Sequence, residues 1–202
     1  MRWAPIIATV VAATGVVAML GWATDGFRAF TAEAARRLAV VERSPVVPSV
    51  RVETMDGTWI TVPPVDGRAT VVEFVYTGCP TICRVSGEAL ARLRARLVET
   101  GLAGRVLIVT LSFDPQTDTP ESLADWGRRH GADGRVWTVA RPRPADLPAL
   151  LDAYGIVVIP DGAGGWVHNA ALHVIDPSGR LRAILDVEDV RGAEAAVRDA
   201  LG

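Results

Sequence analysis

The sequence contains no lysine, since all 21 of its basic side chains are arginine. This absence excludes functions that need a lysine nucleophile, a lysine Schiff base or the lysine of a phosphate-binding P-loop. The formal net charge is only −2, so the chain lacks the basic excess that is typical of nucleic-acid binding, and we expect no nucleic-acid partner. A length of 202 residues fits one ordinary globular domain with an additional segment.

Cysteine and histidine are also scarce. Cys79 and Cys83 are the only cysteines, and the chain has 3 histidines. Two cysteines are too few for a four-cysteine zinc site or for the disulfide framework of a small secreted domain. The two cysteines are therefore expected to act as a pair.

Long apolar character is concentrated at the N-terminus, where no residue between Arg2 and Asp25 is charged. A helix of about 20 apolar residues spans roughly 30 Å, which is the hydrocarbon thickness of a bilayer. We interpret residues 1–24 as a single transmembrane anchor, with a cleaved signal peptide as the alternative. Residues 25–48 are expected to form a helical stalk or linker, and residues 49–202 an exported domain.

Short strands and helices alternate through this domain. An Asp56-Gly57 turn predicts an N-terminal hairpin, and two strongly apolar runs, at residues 69–76 and 106–113, predict buried strands. The other predicted strands are 136–139, 172–175 and 181–186, and helices are expected up to Glu99, from Pro120, over 144–154 and at the C-terminus. This order is typical of an α/β thioredoxin-like fold, a central mixed sheet flanked by helices.

The cysteine pair follows the first buried strand and precedes a helix. Backbone N–H groups and the helix dipole favour a thiolate at Cys79, and the C-x-x-x-C spacing places Cys83 about one turn further along. Two such thiolates can exchange a disulfide or bind a soft ion such as Cu(I). An inert structural disulfide is the alternative, although so short a loop restricts the unfolded chain very little.

A copper ion held by two thiolates needs a third donor, and three histidines are candidates. His130 ends a polar helix, where a cation near the C-terminus is the simpler interpretation. His173 lies inside an apolar strand, where a lone histidine is usually packed or half exposed. His168 follows a glycine-rich loop, GAGG, and is the best placed of the three to move onto a site.

Three ordered motifs, VVEFVYTGCPTIC, TLSFDPQTDTPESL and GGWVHNAALHVIDPSGRL, resemble the Sco/SenC family over roughly residues 45–202. The resemblance implies a membrane-anchored, thioredoxin-fold protein that binds copper, as Cu(I) or Cu(II), through Cys79, Cys83 and His168. It further implies a role as a metallochaperone that delivers copper to the copper-bearing subunit of cytochrome c oxidase. With the anchor, it implies a bacterial inner-membrane protein whose soluble domain lies in the periplasm, with other copper chaperones or thiol reductants as further partners.

The sequence departs from the family pattern beside the cysteines. Members commonly have Asp after the first Cys-Pro and Pro after the second Cys, where this chain has Thr81 and Arg84. A cation beside Cys83 favours thiolate and could shift the balance towards redox exchange. Asp114 matches the family's D-P motif, and we interpret it as a turn residue at a strand end in preference to a residue that supports the metal ligands.

Three functions therefore remain open at this point. The first is the copper metallochaperone, which would not be an enzyme. The second is a thiol-disulfide reductase that keeps the cysteines of the oxidase subunit, or of another copper chaperone, reduced through Cys79 and Cys83. The third, a thiol peroxidase, rests on the thioredoxin-like setting alone.

Overall fold

The computed structural model describes the backbone of residues 3–79 and 82–202, and the side chains of these residues apart from Ala4, Ile82, Cys83 and Arg84. The chain divides into two compact units, Met1–Arg43 and Ser44–Gly202.

The first unit contains two helices, α1 (Ala4–Ala23) and α2 (Ala32–Arg43). The stretch Pro5–Ala23 of α1 is long and apolar enough to cross a membrane, and its side chains are exposed. Of the helical stalk or linker expected over residues 25–48, α2 covers only Ala32–Arg43. Asp25 and Phe27 have φ angles of 47° and 65°, and a left-handed backbone cannot continue a right-handed helix.

The second unit is an α/β domain built on a seven-stranded sheet. These strands are β1 (Val50–Thr54), β2 (Trp59–Val62), β3 (Ala69–Val75), β4 (Val106–Ser112), β5 (Trp137–Pro142), β8 (Leu172–Ile175) and β9 (Leu181–Leu185). Their order in the sheet is β2-β1-β5-β4-β3-β8-β9. The central strands β3, β4 and β5 are parallel, whereas the hairpins β1–β2 and β8–β9 are antiparallel. The predicted mixed sheet with an N-terminal hairpin is confirmed.

The described residues of the domain also form four helices: α3 (Ile82–Glu99), α4 (Pro120–His130), α5 (Leu147–Tyr154) and α6 (Val190–Leu201). The main hydrophobic core joins α3, α4 and α6 to one face of the sheet, with Leu90, Leu93 and Trp137 fully buried in it. Tyr154 of α5 packs against Phe74 on the other face, with ring centroids 5.2 Å apart. Burial of these apolar side chains is the main source of the domain's stability.

A second small sheet lies outside the central one. It consists of β6 (Val158–Pro160) and β7 (Trp166–His168), which pair in antiparallel register with Val158 opposite His168. Asp161 stabilises the glycine loop between them, because its carboxylate accepts hydrogen bonds from the N–H groups of Ala163 and Gly165 at 2.7 and 2.8 Å. This short hairpin was not predicted from the sequence.

Candidate metal and thiol site

The site lies where the parallel strands β3 and β4 end. Val75 of β3 pairs with Ser112 of β4, so the chain leaves both strands at the same edge of the sheet. Beyond this edge, Cys79 closes a turn in which its N–H donates to the carbonyl of Tyr76 at 3.3 Å. Cys79 is half-buried and packs against the hydrophobic core. The fold thus presents Cys79 between β3 and α3, as the sequence predicted.

Asp118 contacts this turn from the loop that follows β4. Its carboxylate accepts a hydrogen bond from the N–H of Thr77 at 3.0 Å and one from the Thr77 hydroxyl at 2.5 Å. It also accepts a hydrogen bond from the Ser112 hydroxyl at 2.5 Å, and the residue is only 2% exposed. These three donors provide the hydrogen bonds that water would otherwise make to the carboxylate, and so offset the cost of its burial.

His168 reaches the same edge of the sheet from the β6–β7 hairpin. Its ring lies edge-on to that of Phe113, with centroids 4.8 Å apart, and Phe113 in turn contacts the Tyr76 ring at 5.4 Å. The Tyr76 hydroxyl accepts a hydrogen bond from the backbone N–H of Trp166 at 3.4 Å. The aromatic pair Tyr76 and Phe113 therefore connects the Cys79 turn to the strand that carries His168.

The His168 imidazole is suited to bind a soft metal ion. Both ring nitrogens are buried, and neither has a hydrogen-bond partner among the described residues. Burial lowers the pKa of His168, with the backbone of Asn169 acting in the opposite direction. A neutral imidazole with an available nitrogen is the form that coordinates a metal. His168 belongs to a strand, so the expectation of a loop residue that swings onto the site is corrected.

The predicted partner of Cys79 lies partly outside the described residues. Cys83 belongs by its backbone to the first turn of α3, whereas its side chain, the Arg84 side chain and the segment Pro80-Thr81 are not described. Among the side chains that are described, no three His, Cys, Asp or Glu residues cluster as a metal site. The set Cys79, Cys83 and His168 stays a prediction.

The other two histidines lie elsewhere in the fold. His173 is fully buried, and its ring nitrogens lie 3.3 and 3.2 Å from the carbonyl oxygens of Val72 and Tyr154. The His130 ring stacks on Trp126, with centroids 4.0 Å apart, and its Nδ1 lies 2.8 Å from the Trp126 carbonyl oxygen. Both rings serve packing in the described structure.

Comparison with known proteins identifies the family to which this architecture belongs. The family model SCO1/SenC matches residues 42–200. The chain belongs to the SCO1/SenC family. It is 23% identical to the SCO1 protein homolog of Bacillus subtilis over 145 residues, which are 70% of this chain and 72% of that protein.

Solved structures of the family share the fold. BsSco, described as a member of the Sco family of cytochrome c oxidase assembly proteins with a disulfide switch, matches with a TM-score of 0.69 and 17% identity over 79% of this chain and 95% of its own. ScoI of Bradyrhizobium japonicum, solved with copper bound, matches with a TM-score of 0.63 and 18% identity over 77% of this chain and 99% of its own. Sco proteins thus share this thioredoxin-like fold, and members of the family bind copper.

One titratable group of this Sco domain has no part in the predicted site. Glu73, in the middle of β3, is completely buried, and neither carboxyl oxygen has a hydrogen-bond partner in the described part of the chain. Desolvation raises the pKa of Glu73 to about 8, and the nearby Ser86 of α3 acts in the opposite direction. The side chain is therefore mostly protonated, and so mostly neutral, at pH 7.

Sequence reasoning missed both buried acids of this region. Asp118 lies in the motif TLSFDPQTDTPESL, in which Asp114 and not Asp118 matches the D-P motif of the family. Asp114 acts through its backbone carbonyl, which accepts turn hydrogen bonds from Thr117 and Asp118 at 3.1 and 2.8 Å. Glu73 had a visible signal, since it is the one charged residue of the apolar run ATVVEFVY.

Proposed function

We propose that this Sco protein is a copper metallochaperone that binds copper through Cys79, Cys83 and His168 and delivers it for assembly of the copper centre of cytochrome c oxidase. Membership of the SCO1/SenC family and the copper-bound ScoI of Bradyrhizobium japonicum support copper as the cargo. The name given to BsSco, a member of a family of cytochrome c oxidase assembly proteins, supports the oxidase as the destination.

The observation that carries the proposal is the buried imidazole of His168. Its two nitrogens lack partners among the described residues, and it lies at the same edge of the sheet as the half-buried Cys79. A buried polar group without a partner is costly, so such a group indicates a ligand. Two thiolates and one imidazole form a soft donor set that suits Cu(I).

The three ligands have different parts in loading and release. The cysteine sulfurs bind as thiolates, so uptake of Cu(I) releases their protons to solvent. Burial lowers the pKa of His168 and so favours its neutral form, which gives up no proton on binding. Because His168 is on a separate hairpin from the cysteines, an acceptor protein can displace the imidazole first and then exchange its own thiolates or imidazoles for Cys79 and Cys83.

The test is an anaerobic Cu(I) titration, against a competing chelator, of the full chain in detergent with both cysteines reduced. We expect near one-to-one binding, and at least about tenfold weaker binding in His168→Ala, which corresponds to about 1.4 kcal/mol. His130→Ala is the matched control because it removes the same side chain outside the site. Absence of tight binding, or equal affinity in the two variants, contradicts the proposal.

A thiol-disulfide reductase is the second candidate, with the oxidase subunit or another copper chaperone as its substrate. Cys79 in a turn between β3 and α3 supports it, as does the disulfide switch described for BsSco. The reductase predicts that Cys79→Ser abolishes reduction of a partner disulfide while His168→Ala retains it. The metallochaperone predicts that copper binding is weakened in both variants.

The same proposal includes the location of the protein. The apolar helix α1 would anchor it in the bacterial inner membrane, with the copper-binding domain in the periplasm. In the periplasm the domain would meet an exported copper-bearing oxidase subunit, other copper chaperones and thiol reductants.

A further inference from the structure

The turn that presents Cys79 is held at one residue. In the turn from Tyr76 to Cys79, Thr77 occupies the second position, and both its N–H and its hydroxyl donate to Asp118. These two bonds fix the backbone and the side chain of Thr77 together. A turn held in this way presents the following cysteine in one orientation and avoids the loss of conformational entropy when the cysteine binds a ligand.

Asp118 is itself fixed on several sides. Its third donor is Ser112, the last residue of β4, and its N–H donates to the Asp114 carbonyl at 2.8 Å. Its carbonyl accepts a hydrogen bond from Arg141 at 2.8 Å, and Arg141 forms an ion pair with Glu53 of β1 at 2.7 Å. The carboxylate is therefore anchored to the central sheet.

The loop that ends at Asp118 begins at Phe113, the residue that contacts His168. The N–H of Phe113 donates to the Val75 carbonyl at 2.9 Å, so this end of the loop is also fixed to β3. One short loop thus makes both contacts: its Asp118 binds the Cys79 turn, and its Phe113 packs against His168. Its geometry sets the position of the cysteine relative to the histidine.

We propose that Asp118 is a positioning residue of the metal and thiol site, which holds Thr77 so that Cys79 is oriented for its ligand and kept in register with His168. The inference rests on the proposed function for its copper-binding consequence. Its consequence for Cys79 itself holds for the metal-free protein as well.

Thr77 provides the test, because it can be changed without altering the charge of Asp118. Thr77→Val removes the hydroxyl donor and keeps the shape, whereas Thr77→Ser restores the donor. Thr117→Val is the matched control, because it makes the same substitution at an exposed threonine of the same loop. Asp118→Asn removes the charge and keeps the shape.

Two measurements are made on the full chain in detergent. The first is Cu(I) affinity, which we expect to fall about tenfold in Thr77→Val and Asp118→Asn and to stay within about twofold of wild type in Thr77→Ser and Thr117→Val. The second is the pH dependence of Cys79 alkylation by iodoacetamide in the metal-free Cys83→Ser background. Thr77→Val should move its midpoint away from the wild-type value, and Thr77→Ser should restore it.

The two measurements separate failure of this inference from failure of the proposed function. If the wild type binds no copper, the proposed function fails and the alkylation profile still decides the role of Asp118. If Thr77→Val matches wild type in both measurements, or if Thr77→Ser is as impaired as Thr77→Val, Asp118 is not a positioning residue. Tighter copper binding in Asp118→Asn would also overturn it, because the charge and not the geometry would then dominate.

Discussion

Two buried acids, Glu73 within β3 and Asp118 in the loop that follows β4, differ in what surrounds them. Asp118, at the end of the sheet, accepts hydrogen bonds from three donors, whereas Glu73, under α3 in the centre of the sheet, has no hydrogen-bond partner in the described structure. Both side chains are almost completely excluded from solvent. The difference shows that hydrogen-bond donors, and not burial alone, decide whether a buried carboxyl group can serve as a structural anchor.

Removal of the satisfied acid should have the largest effect. Asp118→Ala leaves the N–H of Thr77 and two hydroxyl groups without their acceptor, and we expect the free energy of unfolding to fall by about 3 kcal/mol or more. Urea unfolding followed by tryptophan fluorescence measures it. Asp125→Ala is the control, since Asp125 is exposed and pairs only with Arg128 in the described structure, and it should change stability by less than about 1 kcal/mol. If the two substitutions lowered the free energy of unfolding equally, the hydrogen bonds of Asp118 would not make it the structural anchor that Glu73 is not.

The unsatisfied acid should instead reveal itself through pH. Its pKa is about 8 in the folded protein against an ordinary value of 4.5, so the folded state binds more protons than the unfolded state between these values. The stability due to Glu73 is therefore fully present below pH 4.5 and is lost as the pH rises through 8. The slope approaches about 1.4 kcal/mol per pH unit, or about 3 kcal/mol between pH 5 and pH 7.5.

Glu73→Gln isolates this contribution. Glutamine has nearly the same shape and does not ionise, so the stability of the variant should gain on wild type as the pH rises towards 8. His168 has the opposite sign, because its lowered pKa costs stability below about pH 6.5, but it is common to both proteins and cancels in the difference. Glu88→Gln is the exposed control. Parallel pH curves for wild type and Glu73→Gln would show that Glu73 is ionised in the folded state.

The sequence predicts the elements that have a local signal and misses the contacts between distant residues. Strands β3 and β4 were predicted nearly residue for residue, because continuous runs of buried apolar residues identify them without tertiary information. Strand β5 was predicted over 136–139 but extends to Pro142, since it pairs with β1 on its far side. That pairing, and the ion pair of Arg141 with Glu53, joins residues 88 positions apart and has no local signal.

The candidate site could also be predicted only in part. Cys79 and His168 could be proposed from residue type, spacing and family resemblance, because thiol and imidazole groups have few alternative uses. The roles of Asp118 and Glu73 could not be predicted, because tertiary structure decides which hydrogen-bond donors surround a buried acid and these donors have no local signal in the sequence. The β6–β7 hairpin was missed because strands of three residues carry too little periodicity.

The smallest predicted effect tests how nearly isolated Glu73 is. Ser86 favours the ionised form of Glu73, so Ser86→Ala should raise the pKa of Glu73 further above its value of about 8. The substitution should therefore cost more stability at pH 9, where Glu73 is mostly ionised, than at pH 6, with a difference below about 1 kcal/mol. In the Glu73→Gln background the cost should be the same at both pH values. If the cost of Ser86→Ala still depended on pH in the Glu73→Gln background, Ser86 would act on another titratable group. Glu73 would then receive no contribution from Ser86, in agreement with its lack of a hydrogen-bond partner in the described structure.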